Sequence, residues 1–335
     1  MKVSFFELKG WEQEILKNGL RKHKLNFDSE PLTEKNISKV KDADVISVFV
    51  YSEIDKKIFD KMKKIKLIIT RSAGFDHIDL KECKRRKIVV LNIPRYGENT
   101  VAEHTFALIL ALSRKVHESH LRRLNHDFSI EGLKGFDLAG KTLGVIGTGR
   151  IGKHVIRIAR GFEMNVLAHT HNPDDFLAEQ MDFKYVGLNE LLKKSGIITI
   201  HVPYCEENFH LIDKNKISMM KKGVILINTA RGELVDTESL IEGLETGKVG
   251  GAGLDVLEGE KFLREEKEFL YKPEKRKELQ QIVENHELLS FDNVVYTPHI
   301  AFYSQEALVR IIETTVQYIL DFGKGKVDEG AKVCM

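Results

Sequence analysis

"TLGVIGTGRIGKHVIRIAR", residues 142–160, decides the fold. A strand-like apolar run ends in Gly147-Thr148-Gly149-Arg150-Ile151-Gly152, and a helical pattern opens at once. Three glycines at this spacing are a weak signal alone. Between a buried strand and a helix they mark a turn that holds a dinucleotide. Gly147 permits the tight turn, and Gly149 lets backbone approach a pyrophosphate. Gly152 lets the helix pack close to its strand, and the helix N-terminus favours the anion. Arg150 and Ile151 fall in the same stretch.

Outward from that turn the pattern repeats. Short Val/Ile-rich runs occur at 3–8, 45–50, 67–70, 88–92, 142–147, 165–169, 197–202, 224–228, 252–256 and 293–297, with helical patterns between them. Strands apolar at successive positions are buried on both faces, so the alternation predicts parallel sheets built from βαβ units. One helix is predicted over 99–124, capped near Asn99-Thr100 and apolar through Leu112, dividing an N-terminal sheet from a second one. The amphipathic pattern over 304–322 predicts a last helix that returns to the first domain. The charged segment 260–290 reads as a helical insertion.

At 335 residues the chain accommodates two domains. Its 52 basic and 50 acidic residues are spread evenly, which argues against a nucleic-acid footprint. Lysine-rich "KMKKIK" (61–66) reads as a solvated helix face. No run reaches the ~20 apolar residues of a membrane span, and the N-terminus turns charged too early for a signal peptide. Cys83, Cys205 and Cys334 show no metal spacing and read as free thiols of a cytoplasmic protein. His117 and His120 share a helix face without ligand companions, so no metal is expected. His169 and His171 are placed at a strand end, facing solvent or cofactor.

Ligands of open α/β sheets bind beyond the carboxyl ends of strands. Four such ends carry chemistry here. "HVPYCEENFHLI" (201–212) follows one strand, "INTARGELVD" (227–236) brings Arg231, "GLDVLEGE" (253–260) brings Asp255 and Glu260, and "VVYTPHIAFYS" (294–304) brings His299. An arginine, a carboxylate and a histidine thus share one sheet edge with the glycine loop.

With the glycine loop, "HVP", "NTARG", "GLDV" and "TPHIA" in that order, the chain resembles the D-isomer-specific 2-hydroxyacid dehydrogenases over essentially its whole length. The resemblance implies a flavodoxin-like substrate domain (1–98 plus 300–335) and a Rossmann-like dinucleotide-binding domain (99–299), each with a parallel sheet. It implies Arg231, Glu260 and His299 as the catalytic three. His299 would exchange the hydroxyl proton of a 2-hydroxy acid. Glu260 would orient the imidazole and favour its charged form, and Arg231 would bind the carboxylate and polarise the C2 oxygen. Backbone around Ser72, Ala73 and Gly74 ("TRSAGFDHIDL", 70–80), with Tyr96, would hold substrate. Val202, Pro203, Asn208, Thr229, Ala230, Arg231 and Asp255 would join the glycine loop around the cofactor NAD.

Within the family the likeness is greatest to D-lactate dehydrogenases, which points to pyruvate. Arg95 and Gly97 depart from that pattern and leave glyoxylate, hydroxypyruvate or a bulkier keto acid as the alternative. A dinucleotide-sensing corepressor is the remote one. The second strand of the nucleotide unit ends in Thr170, followed by His171 and Asn172, with no acid to repel a 2′-phosphate, so NADP use stays open. A homodimer through residues 99–115 is expected from their apolar surface.

Overall fold

The computed structural model describes residues 1–264 and 276–334; the middle of the predicted 260–290 insertion and the Cys334 side chain lie outside the described residues. The chain divides into two compact units, Met1–Tyr96 with Tyr303–Met335, and Gly97–Phe302.

The first unit holds β1 (Lys2–Phe5), β2 (Lys24–Phe27), β3 (Val45–Val48), β4 (Leu67–Thr70), β5 (Val89–Leu91) and β13 (Lys332–Cys334), in the order β13-β5-β4-β3-β1-β2. The run β2-β1-β3-β4-β5 is parallel and flavodoxin-like. The expected all-parallel sheet is corrected at one edge, where β13 pairs antiparallel with β5. β3 and β4 are buried at every position because helices cover both faces. On one face Val3, Phe5, Leu16 and Leu67 pack with Ile311, Ile312 and Ile319 of the C-terminal helix Gln305–Phe322, which therefore belongs to this unit. On the other, Ile46, Val48 and Ile68 meet Ile58, Phe59 and Cys83.

The second unit holds β6 (Thr142–Ile146), β7 (Asn165–His169), β8 (Lys184–Tyr185), β9 (Ile197–Ile200), β10 (Val224–Asn228), β11 (Val249–Leu254) and β12 (Val294–Tyr296). Their order is β12-β11-β10-β9-β6-β7-β8, all parallel. Strand order reverses between β6 and β9, the crevice where such sheets bind ligands.

The helix predicted over 99–124 is two helices, α4 (Glu98–Arg114) and α5 (Val116–Leu124), broken at Lys115 with φ 50°. The Ser113 carbonyl, which would continue the helix, instead accepts the Phe136 amide at 2.9 Å. Gly135 lies so close that a Cβ there would sit 2.2 Å from that carbonyl oxygen. Asn99 and Thr100 lie inside α4, whose N-cap is Gly97. The apolar face of α4 is buried in its own unit: Leu108 and Leu112 pack onto Gly253 and Gly251 of β11. Truncating either leucine to alanine costs about 2–5 kcal/mol. Lys61 and Lys64 pair with Glu34 and Asp42 on an exposed face. Among the described residues no helix is long and apolar enough to cross a membrane.

Candidate active site

The glycine loop sits at the switch between β6 and β9. Gly147 has φ +99°, and a Cβ on it would lie 2.7 Å from the His201 carbonyl oxygen at the end of β9. A Cβ on Gly152 would meet the Gly147 oxygen at 2.0 Å, so both positions require glycine. Gly149 is exposed, with no heavy atom within 4 Å of where its Cβ would be, and it caps the twelve-residue helix Arg150–Gly161. An open glycine at a helix N-terminus suits a pyrophosphate, and this loop fits a dinucleotide. Arg150 is exposed beside it and Ile151 half-buried. Thr148 is buried, its hydroxyl 3.2 Å from the Tyr185 hydroxyl on β8. Sequence reading had missed both β8 and Tyr185.

Consecutive strand ends carry the three polar residues. At the end of β10, the buried Asn228 builds the turn: its Oδ1 accepts the Ala230 amide at 3.0 Å and its Nδ2 donates to the Arg231 carbonyl at 2.7 Å. That places Thr229, Ala230 and Arg231 at the edge. Thr229 reaches the Thr105 hydroxyl of α4 at 3.1 Å. Gly232 follows against Leu257, where a Cβ would lie 2.0 Å from backbone. Beyond β11, Glu260 Oε1 lies 2.7 Å from His299 Nδ1, beyond β12. A carboxylate accepts, so Nδ1 carries the proton and Nε2 is the nitrogen left for exchange. Burial raises the Glu233 carboxyl pKa against the lowering effect of Arg231, and the charges of Glu260 and Glu258 add to the rise.

Asp255 is the centre of a fixed turn. Its carboxylate, 1 % exposed, accepts the Thr297 hydroxyl at 2.6 Å and the Ile300 and Ala301 amides at 2.9 Å each. Its carbonyl accepts the His299 amide at 2.8 Å. His299 itself holds φ +54°, a conformation costly for a non-glycine residue unless its surroundings enforce it. Asp255, expected from the sequence as a cofactor contact, supports the His299 turn through these bonds. His104 of α4, which sequence reading did not select, joins from the other side with Nε2 2.9 Å from Thr297 Oγ1.

Val202 is half-buried and Pro203 exposed past β9. Asn208 braces that turn, accepting the Cys205 amide at 2.8 Å and donating to the Pro203 carbonyl at 2.7 Å. Thr170 is half-buried after β7, and His171 is exposed. The His169 ring is tied to the Val186 carbonyl at 3.1 Å. Asp174 caps the next helix through the Leu177 amide at 3.0 Å. Cys83 is buried and Cys205 exposed, both as thiols.

In the first unit, the loop after β4 keeps its backbone carbonyls engaged. The carbonyls of Ser72, Ala73 and Gly74 accept from the Ile93 amide (3.0 Å), Asn92 Nδ2 (2.7 Å) and Ser72 Oγ (2.6 Å). Among the described residues the amides of these three make no hydrogen bond within the protein. Behind them His77 Nε2 lies 3.1 Å from Thr70 Oγ1, itself 2.6 Å from Ser72 Oγ. Burial holds the His77 pKa down to about 4, so the ring is neutral. Tyr96 is half-buried, its carbonyl accepting Arg310 Nε at 2.7 Å.

The NAD binding domain of the D-isomer specific 2-hydroxyacid dehydrogenases matches residues 106–301. This chain belongs to that family. A 2-hydroxyacid dehydrogenase homolog of Haemophilus influenzae is 37% identical, over 98% of both chains. The D-lactate dehydrogenase of Escherichia coli is 34% identical, over 97% of this chain and 98% of that one. A crystal structure of D-lactate dehydrogenase from Aquifex aeolicus, complexed with NAD and lactic acid, superposes with TM-score 0.88 at 39% identity, covering 99% of each chain. Family membership makes the protein an NAD-linked oxidoreductase of 2-hydroxy acids.

Proposed function

We propose that the protein reduces a short 2-keto acid, with pyruvate the leading substrate, to the D-hydroxy acid with NADH. The observation that carries this reading is the His299–Glu260 pair, 2.7 Å apart, at the strand edge that holds the glycine loop. NADH, when bound, supplies the hydride for C2. His299 Nε2 gives its proton to the forming C2 oxygen in reduction and takes it back in oxidation. Glu260 fixes the ring and offsets its positive charge. Arg231 binds the carboxylate and polarises the C2 oxygen as charge builds there. Ser72, Ala73 and Gly74 offer free amides to a carboxylate, and Tyr96 contributes to substrate selection. Gly147, Gly149, Arg150, Ile151 and Gly152 receive the pyrophosphate. Thr170 meets the adenosine ribose. Val202, Pro203, Thr229 and Ala230 line the rest of the cofactor path, with Asn208 and Asp255 holding those loops in shape.

NADH consumption followed optically over a panel of pyruvate, glyoxylate, hydroxypyruvate and bulkier keto acids tests this. Highest kcat/KM with pyruvate supports it; a preference for another keto acid moves the substrate and keeps the mechanism. Cofactor binding without turnover on any of them identifies a dinucleotide sensor instead.

We also propose a homodimer, with its surface revised. The apolar face of α4 is covered within its unit, so it supplies no reason for association. Val116, Leu121, Leu124, Phe128 and Ile130, each more than half exposed, are uncovered apolar side chains in the stretch just beyond it.

A further inference from the structure

We propose that His104 is a positioning residue for His299, acting through Thr297 and Asp255. The inference rests on the reading of His299 as the proton donor. Direction along the chain of contacts follows from counting protons. The Asp255 carboxylate only accepts, so the Thr297 hydroxyl gives it its one hydrogen across 2.6 Å. The Thr297 oxygen then accepts from His104, 2.9 Å away. His104 therefore carries its hydrogen on Nε2. The same nitrogen lies 3.5 Å from Asp255 Oδ1. Burial lowers the His104 pKa and Asp255 opposes that, leaving a neutral donor that does not cancel the carboxylate's charge.

The placement of His104 is written into the packing of α4 on β11. Leu112 meets Gly251, Leu108 meets Gly253, and His104 meets Asp255. Four residues of helix rise ~6 Å and two residues of strand ~6.6 Å, so the elements stay in step across three contacts. A Cβ at Gly253 would lie 3.0 Å from Leu108 Cβ and 2.8 Å from Ile227 Cδ1. The glycines let the helix approach closely enough for an imidazole to reach the strand's last carboxylate. Three neighbouring donors from the 297–301 turn converge on that carboxylate, and His299 leaves the turn with a strained backbone. The tie from α4 stops the Thr297 hydroxyl from rotating away and the turn from relaxing.

The test compares His104→Leu, which removes the donor, with His104→Gln, whose amide nitrogen reaches the Nε2 position. His104→Leu is expected to lower kcat about ten- to a hundredfold, the cost of misplacing a reacting group by a fraction of an ångström to an ångström, with the KM for NADH unchanged. His104→Gln restores most of the rate. Nitrogen-15 NMR of the unmodified protein should show His104 neutral and protonated at Nε2. The His299 ring signals should move in the leucine variant and stay in the glutamine variant. A His104 protonated at Nδ1, or His299 signals and kcat unmoved by His104→Leu, overturns the proposal. If the leucine variant does not fold, the tautomer and the glutamine variant decide. Should the unmodified protein turn over no keto acid, the functional reading fails, while the response of the His299 signals still decides the coupling.

Discussion

Glu260 Oε1 accepts the Nδ1 proton of His299 at 2.7 Å, which fixes one edge of the imidazole and leaves the other nitrogen for the proposed proton exchange. His299→Ala should lower keto-acid reduction by roughly two to four orders of magnitude, while NADH still binds. Stopped-flow turnover with NADH fluorescence titration checks both halves. Near-normal turnover would remove His299 from the mechanism.

Glu260→Gln keeps an oxygen that can accept from Nδ1 but removes the charge. If Glu260 acts through charge as well as orientation, kcat should fall by about 10–100-fold, and Glu260→Ala should fall further. Equal rates for the glutamine variant and the unmodified protein would leave Glu260 an orienting role alone.

Cofactor choice turns on Thr170. Asp174, the nearest acid along the chain, is held as a helix cap by the Leu177 amide at 3.0 Å, so it is committed elsewhere. A threonine hydrogen-bonds a ribose but does not repel a 2′-phosphate. NADH should be preferred by only about tenfold, about 1.4 kcal/mol. Thr170→Asp should sharpen the preference. A thousandfold difference in kcat/KM in the unmodified protein would show that another group supplies the selection.

Acid sensitivity follows from two half-buried histidines. Burial lowers the pKa of His77 from 6.5 to about 4 and that of His201 to about 3. The unfolded chain takes these protons near 6.5 and the folded one resists them. Their contribution to stability is therefore intact above 6.5, shrinks as pH falls toward 4 for His77 and 3 for His201, and then levels off. Urea midpoints should fall across that window. His77→Gln, which keeps a donor toward Thr70, should flatten the fall between 6.5 and 4. An unchanged slope would remove His77 as a contributor.

Association should depend on the exposed apolar residues of α5. Leu121→Asp with Leu124→Asp, three residues apart on one helix face, should turn a dimer into a monomer in sedimentation at micromolar concentration. A monomer before mutation would sink the proposal.

Much of this was legible in the chain. β4, β7 and β10 begin and end where their apolar runs do, because central strands carry apolar residues on both faces. His299, Glu260 and Arg231 stood out because polar groups gathered in the loops after apolar strand-like runs have few structural reasons to be there. β2, β8 and β13 were missed: they are edge strands of two to four residues, and edges carry no such run. The break at Lys115 was hidden because its cause, the Phe136 amide on the Ser113 carbonyl, lies twenty-odd residues downstream. His104 was hidden for a like reason. Only the step of α4 along β11 shows that a histidine inside an apolar helix meets a carboxylate.

The split of the first unit into Met1–Tyr96 and Tyr303–Met335 bears on how the protein is made. Synthesis runs from the N-terminus, and domains generally fold as units. The second unit is one unbroken stretch. The first unit must wait with β5 unpaired on one side and the seat of Gln305–Phe322 open until residues 303–335 emerge. Until then its apolar face is exposed, so a unit whose first segment precedes the second unit is completed only after it, and nascent chains truncated before 303 should be the ones that chaperones hold.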